Sequence, residues 1–229
     1  MPKLFADKTI EIDAPASVVW DVLIKDADVW AFAFAEARVE SDWKPGSPVR
    51  WKKSDGNVFV EGTVTAFKPQ KLLRFTVIST GEPEHRALAR TEEDGITFEL
   101  SERDGGITLR VRHGDFSVLK DAEEALRGTM EGWGRTLPKI KATAEWIATL
   151  EREGFKDIGV CPIPPNKDLP EHMHDQHTVH MILEGELIIK DNEGTKTYRP
   201  GDRVEFPAGT THKARGSTDT GKMIIGVKA

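Results

Sequence analysis

At 229 residues the chain has room for more than one domain of ordinary size. With 31% charged and 38% hydrophobic residues it reads as soluble and globular, and a net charge of −6 excludes a sequence-independent nucleic-acid binder, which needs a basic stripe. No apolar run approaches the ~20 residues of a membrane span. The opening MPKLFADKTIEID lacks the apolar core of a secretory signal, and the single Cys161 permits no internal disulfide, so a reducing cytoplasm is the expected location.

Lys8 to Ile12 alternates apolar and polar residues and predicts a strand. Asp13 or Ala14 then caps a helix with Pro15 in its first turn, where a missing N–H does no harm. Ala16, Val19, Trp20 and Leu23 make the apolar face of that helix, and Asp26 to Ala37 reads as a second, short one. Strand segments follow at Arg38 to Trp43, Val49 to Lys53, Val58 to Phe67, Leu72 to Ser79, Ile96 to Ser101 and Ile107 to His113. Pro45-Gly46, Asp55-Gly56-Asn57, Asp94-Gly95 and Asp104-Gly105-Gly106 punctuate them with hairpin chemistry. A long helix is predicted from Asp121 to Leu150, because Leu126, Met130, Trp133, Leu137, Ile140, Ala144 and Ile147 recur on one stripe. Pro138 within it is where a kink would fall.

The order strand, two short helices, antiparallel strands and long helix resembles the START-like (SRPBCC) helix-grip superfamily. Within it, the chain looks like the branch of heat-shock-protein ATPase activator homologues, which also includes polyketide-cyclase-like proteins. The resemblance is carried by Ile12-Asp13-Ala14-Pro15 before the Val-Trp helix, Trp43 with Pro45-Gly46-Ser47, and Gly62-Thr63-Val64 followed by Pro69, Leu72 and Phe75. Gly132-Trp133 with Leu137 in the last helix completes it. It implies a helix-grip domain over residues 1–152, with an apolar cavity between helix and sheet that takes a hydrophobic small molecule. Trp133, Leu137 and His113 are then the ligand-binding candidates in that half. His113 shares a strand face with Ile107, Leu109 and Val111, while Arg110 and Arg112 take the other. A histidine on an apolar face is more often a satisfied core residue than a ligand contact. Glu82, Glu84 and His85 of the GEPEHR loop are expected to be solvated. Neither a nucleophile with a base at a family spacing nor a Gly-rich phosphate loop occurs.

Glu151 to Gly154 ends the helix and begins a linker, and Asp157 to Ile163 reads as the first strand of a second domain. The stretch from Pro170 to Gly216 then holds five of the seven histidines, which makes it the place to look for chemistry. His172 and His174 form an H-x-H pair whose imidazoles share one face if the segment is extended. Val179 to Leu183 and Leu187 to Lys190 are strand-like runs, and Asp191-Asn192-Glu193-Gly194 is a hairpin turn. Gly201-Asp202 opens the run Arg203 to Phe206, which Pro207-Ala208-Gly209 breaks ahead of His212.

These residues resemble the cupin superfamily, a small jelly roll of two sheets. In the first cupin motif His172, His174 and Gly185 fit, and Thr178 stands in the slot of a glutamate. In the second, Gly201, Pro207, Gly209 and His212 fit, and Gly216 stands where asparagine is usual. The resemblance implies a cupin domain over 156–229, with one divalent transition metal held by His172, His174 and His212 and no carboxylate beside them. Imidazole suits zinc, iron, nickel and copper alike. If Thr178 occupies the inward slot, alternation puts His180 inward and His177 outward. His180 is then a fourth ligand or a proton-transfer group, and Thr178 lines the ligand space.

The expected architecture is therefore an α+β helix-grip domain followed by an all-β cupin. Two function classes stay open. One is a small-molecule-binding protein in which the helix-grip half takes an apolar ligand and the cupin stores metal, senses a solute or forms a homodimer. The other is a metal-dependent dioxygenase, isomerase or hydrolase with its active site in the cupin. Either way the expected partner is a small molecule, with no nucleic acid and no membrane. A chaperone-ATPase activator role follows from the family name alone, and no residue carries it.

Overall fold

The computed structural model describes residues 2–25, 38–53, 55–79 and 95–228, so the short helix expected over 26–37 and the GEPEHR loop lie outside the described residues. The chain divides into two compact units, Met1–Ala144 and Glu145–Ala229.

The first unit contains β1 (Phe5–Ile12), α1 (Ala16–Ile24), β2 (Arg38–Glu40), β3 (Pro48–Lys52), β4 (Val58–Lys68), β5 (Leu72–Phe75), β6 (Ile78–Ser79), β7 (Gly95–Arg103), β8 (Gly106–Gly114) and most of α2 (Ala122–Arg152). Its strands form an antiparallel sheet in the order β1-β8-β7-β5-β4-β3-β2, with β6 on β4. At the start of α1, Pro15 takes the capping position and no side chain caps the helix. The expected cap at Asp13 or Ala14 is not seen, because the helix starts later, with Pro15 in the capping position; the Asp13 carboxylate is paired with Arg103. The stripe on α2 meets the sheet where Trp133 stands edge-on to Phe98 of β7, ring centroids 5.6 Å apart. Leu137, Ile140 and Ala144 continue the buried line toward the C-terminus. Leu137 and Ile140 each contribute about 2 kcal/mol by leaving water, and the Ala144 methyl less than half of that.

The second unit opens with the C-terminal turns of α2. Trp146, Ile147 and Leu150 pack with Phe155, Val179, Met181 and Ile224 in one apolar cluster. The second compact unit thus begins at Glu145, inside α2. Beyond it run β9 (Lys156–Ile163), β10 (Asp168–Met173), β11 (His177–Glu184), β12 (Leu187–Asp191), β13 (Gly194–Tyr198), β14 (Arg203–Phe206), β15 (Thr211–Gly216) and β16 (Gly221–Lys228). They make two four-stranded sheets, β10-β15-β12-β13 and β14-β11-β16-β9. One core joins the two: Leu187, Ile189 and Ala214 come from the first, and Ile163, Ile182, Val204, Phe206 and Met223 from the second.

Strand β11 is buried on both faces, and its alternation divides the work. Val179 and Met181 face the cluster around Leu150, while Ile182 joins the core between the sheets. Thr178 and His180 share the Ile182 side. On the opposite side His177 Nε2 lies 2.7 Å from a Glu205 carboxylate oxygen. Glu205 also pairs with Arg203, which makes a two-pronged pair to Glu153 at 3.0 and 2.6 Å just past α2. Two glycines of the motifs are required sterically. Gly185 turns with φ +70°, and at Gly216 a Cβ would stand 2.1 Å from the Pro164 carbonyl oxygen, which leaves no room for the usual asparagine.

Candidate metal centre

Pairing of β10 with β15 sets His172 directly opposite His212, after a register shift between Leu169 and His172. His174 lies just past the end of β10, and the loop ahead of β15 holds it. Its N–H donates to the Thr210 carbonyl at 3.0 Å, and the Gly209 N–H donates to its carbonyl at 2.8 Å. The imidazole centroids stand 4.5 Å apart for His172 and His212, 4.9 Å for His174 and His212, and 5.2 Å for His172 and His174. Each of the three offers a ring nitrogen, and these nitrogens all lie within 4.8 Å of one another. Phe206 of β14 forms a wall, stacked on His174 at 4.8 Å with planes 8° apart and 4.1 Å from His212.

The nitrogens themselves test whether a metal fits. His172 Nδ1 sits 3.0 Å from the Pro170 carbonyl, which can only accept, so the proton is on Nδ1 and the lone pair on Nε2. His174 Nε2 and both nitrogens of His212 are buried with no hydrogen-bond partner among the described residues. A buried polar atom left this way costs about 1–3 kcal/mol, and a cation between the rings would partner His174 Nε2 and one of the two His212 nitrogens. Burial also favours the neutral, ligating form of His174 and His212. It lowers His212 from 6.5 to about 4, helped by His172 and His174, and it lowers His174, helped by His172. The residues present therefore fit a divalent transition ion, with three neutral ligands and open positions beside them.

His180 is not one of the three. Its ring centre is 5.9 Å from that of His174, its Nδ1 is buried and without a partner among the described residues, and burial followed by the neighbouring histidines lowers it to about 3. His177 points away, with its ring edge against Phe155 at 5.3 Å. Thr178 is 5% exposed, and its hydroxyl lies 3.1 Å from His174 Nδ1 and 3.1 Å from the Gln176 carbonyl. Phe206, Pro170 and Gln176 shape the site without being evident in the sequence. The last two act through backbone carbonyls, which carry no residue-type signal. Phe206 had one usable sign, since it precedes the Pro207-x-Gly209 break that leads to His212.

In the first unit Trp133 and Leu137 are 2% and 3% exposed, within the core. Trp133 Nε1 donates to His113 Nδ1 at 3.3 Å, and burial lowers His113 to about 4. His113 therefore sits neutral in the wall beside Phe116, 5.4 Å away. No helix among the described residues is long and apolar enough to cross a membrane.

Comparison with known proteins agrees with this division. The family model described as "Activator of Hsp90 ATPase homolog 1-like protein" matches residues 13–145, more than half of the chain. The model for the cupin domain matches residues 159–226. No curated protein matches. Among solved structures, a protein from Mesorhizobium loti is 20% identical, with 61% of this chain and 95% of that one covered at a TM-score of 0.48. The Aha1 dimer from Colwellia psychrerythraea, known from a solution structure, is 16% identical over 62% of this chain and 96% of its own at 0.48. A cupin-2 domain containing protein from Shewanella frigidimarina is 23% identical over 30% of this chain and 65% of its own at 0.27.

Proposed function

The chain belongs to the Activator of Hsp90 ATPase homolog 1-like family and carries a cupin domain after the matched region, and on that premise we propose that the cupin unit is a mononuclear metal site that binds a small molecule. The observation that carries this is that His172, His174 and His212 each bring a ring nitrogen within 4.8 Å of the others, while His174 Nε2 and the His212 nitrogens are buried without a hydrogen-bond partner among the described residues. His172, His174 and His212 hold the ion, Phe206 closes one side, and His180 keeps a buried neutral nitrogen close by. A divalent ion held there supplies a Lewis acid with open positions. Zinc titration by calorimetry tests the reading. His212→Ala should abolish or severely weaken uptake, and His177→Ala should leave it near the parent. Equal zinc binding by His212→Ala and the parent would remove the triad from consideration. Once zinc uptake is established, turnover of a bound molecule against simple retention separates an enzyme from a binding protein.

A second reading concerns the first unit, as a site for an apolar ligand. The His113–Trp133 pair favours it, being a polar contact set among the aromatic rings of Phe98 and Phe116, the mix of apolar surface and few polar groups that small-molecule sites use. Titration of an environment-sensitive dye into the full chain should give saturable binding that Leu137→Trp reduces. Absence of saturable binding would mean that the space between α2 and the sheet is filled by core side chains.

A further inference from the structure

The slot that the cupin pattern gives to a carboxylate ligand is filled by Thr178, and both hydrogen-bonding roles of its hydroxyl are already assigned. The Gln176 carbonyl, 3.1 Å away, can only accept, so the hydroxyl proton points there. His174 Nδ1 lies 3.1 Å from the same hydroxyl oxygen, which therefore accepts, and Nδ1 carries the ring proton. A neutral imidazole has one N–H, so the lone pair of His174 is on Nε2, the buried nitrogen without a hydrogen-bond partner among the described residues. The hydroxyl is held in place by the backbone, because β11 is paired on both sides and Thr178 stands opposite Phe206 on one and Val227 on the other. Phe206 in turn stacks on the His174 ring with planes 8° apart. One cross-strand pair thus supplies both constraints: Thr178 selects the tautomer, and Phe206 sets the plane.

We propose that Thr178 is a positioning residue of the metal centre, which orients His174 and commits its Nε2 to the ion in place of ligating the ion itself. The proposal rests on the triad being a metal site, and it gives the missing carboxylate a physical replacement. A residue that orients a histidine ligand through its other nitrogen typically contributes about 10- to 100-fold in metal affinity.

The experiment uses the full chain labelled with nitrogen-15, with Thr178→Val and Thr178→Ser alongside the parent. In the metal-free protein the imidazole nitrogen spectrum reports the tautomer of His174. Competition with a chelator then measures zinc affinity. The parent and Thr178→Ser should show the proton on Nδ1 and bind zinc alike. Thr178→Val should show mixed tautomers and bind zinc about 10- to 100-fold more weakly. A parent His174 protonated on Nε2, a valine variant as tight as the parent, or a serine variant as weak as the valine one would each overturn the proposal. Should Thr178→Val fail to fold, a parent His174 protonated on Nε2, or a serine variant that binds zinc at least about 10-fold more weakly than the parent, still overturns it. A parent that takes up no zinc would instead sink the metal reading, and the metal-free spectrum would still settle which tautomer Thr178 selects.

Discussion

Replacing His113 by phenylalanine should make the first unit less sensitive to acid. The ring sits among core side chains, accepts from Trp133 Nε1 at 3.3 Å, and is lowered by burial from 6.5 to about 4. As pH falls past 6.5 the unfolded chain takes up a proton here, and the folded chain does so only near 4. Stability from this group is therefore full above about pH 6.5 and is lost progressively between there and about pH 4. At pH 5 the unequal protonation amounts to about 2 kcal/mol, rising to about 3 kcal/mol below pH 4. His113→Phe forgoes the Trp133 hydrogen bond, which costs about 1 kcal/mol at any pH, and it removes the titration. Urea unfolding followed by tryptophan fluorescence at pH 7 and pH 5 gives the comparison. The drop in stability between the two pH values should be smaller by about 2 kcal/mol in the variant. An equal drop in both proteins would show that His113 is not held neutral by burial, and the reasoning would fail.

His180→Ala should retain zinc with affinity near the parent's, since the nitrogens within 4.8 Å of one another belong to His172, His174 and His212; loss of zinc by calorimetry would make His180 a fourth ligand. Three neutral imidazoles leave a divalent ion its whole charge, which favours an anionic ligand. Thr178→Glu should therefore tighten zinc and weaken the binding of a small carboxylate such as acetate to the zinc form, measured by calorimetry; unchanged carboxylate affinity would contradict the charge argument. Leu150→Ala removes a fully buried side chain from the cluster with Val179, Met181 and Ile224. A loss of about 2–5 kcal/mol is expected, read as faster hydrogen exchange in β11 and β16, and unchanged exchange there would place Leu150 outside that core.

Much of the site was legible because strands alternate. The pattern along Thr178, Val179 and His180 places the first and third on one face and His177 on the other, and the register with β14 and β16 shows the same division. The H-x-H spacing set His174 on the face of His172 only if the segment stayed extended. His174 lies beyond the end of β10, so its aim comes from backbone bonds to Thr210 and Gly209 rather than from the pleat. Thr178 read as a gap in a motif, because sequence shows which group is absent and not what the substitute's hydroxyl touches. What the long helix packs against was harder still. Ala144, Ile147 and Leu150 continue a single helical stripe, and a period of 3.6 says that a face is buried without saying against what. The Asp13 cap misled for a related reason. A carboxylate before a helix is a capping signal, but the helix starts later, with Pro15 in the capping position, and the Asp13 carboxylate meets Arg103, distant in sequence, instead.

The central claim, that His172, His174 and His212 form a metal centre, is tested most directly by elemental analysis of the full chain, produced without a histidine tag and dialysed after exposure to zinc. The account predicts a single transition-metal ion retained per chain in the parent and none in His172→Ala. A parent that retains no metal, or a His172→Ala chain that retains as much as the parent, would contradict it.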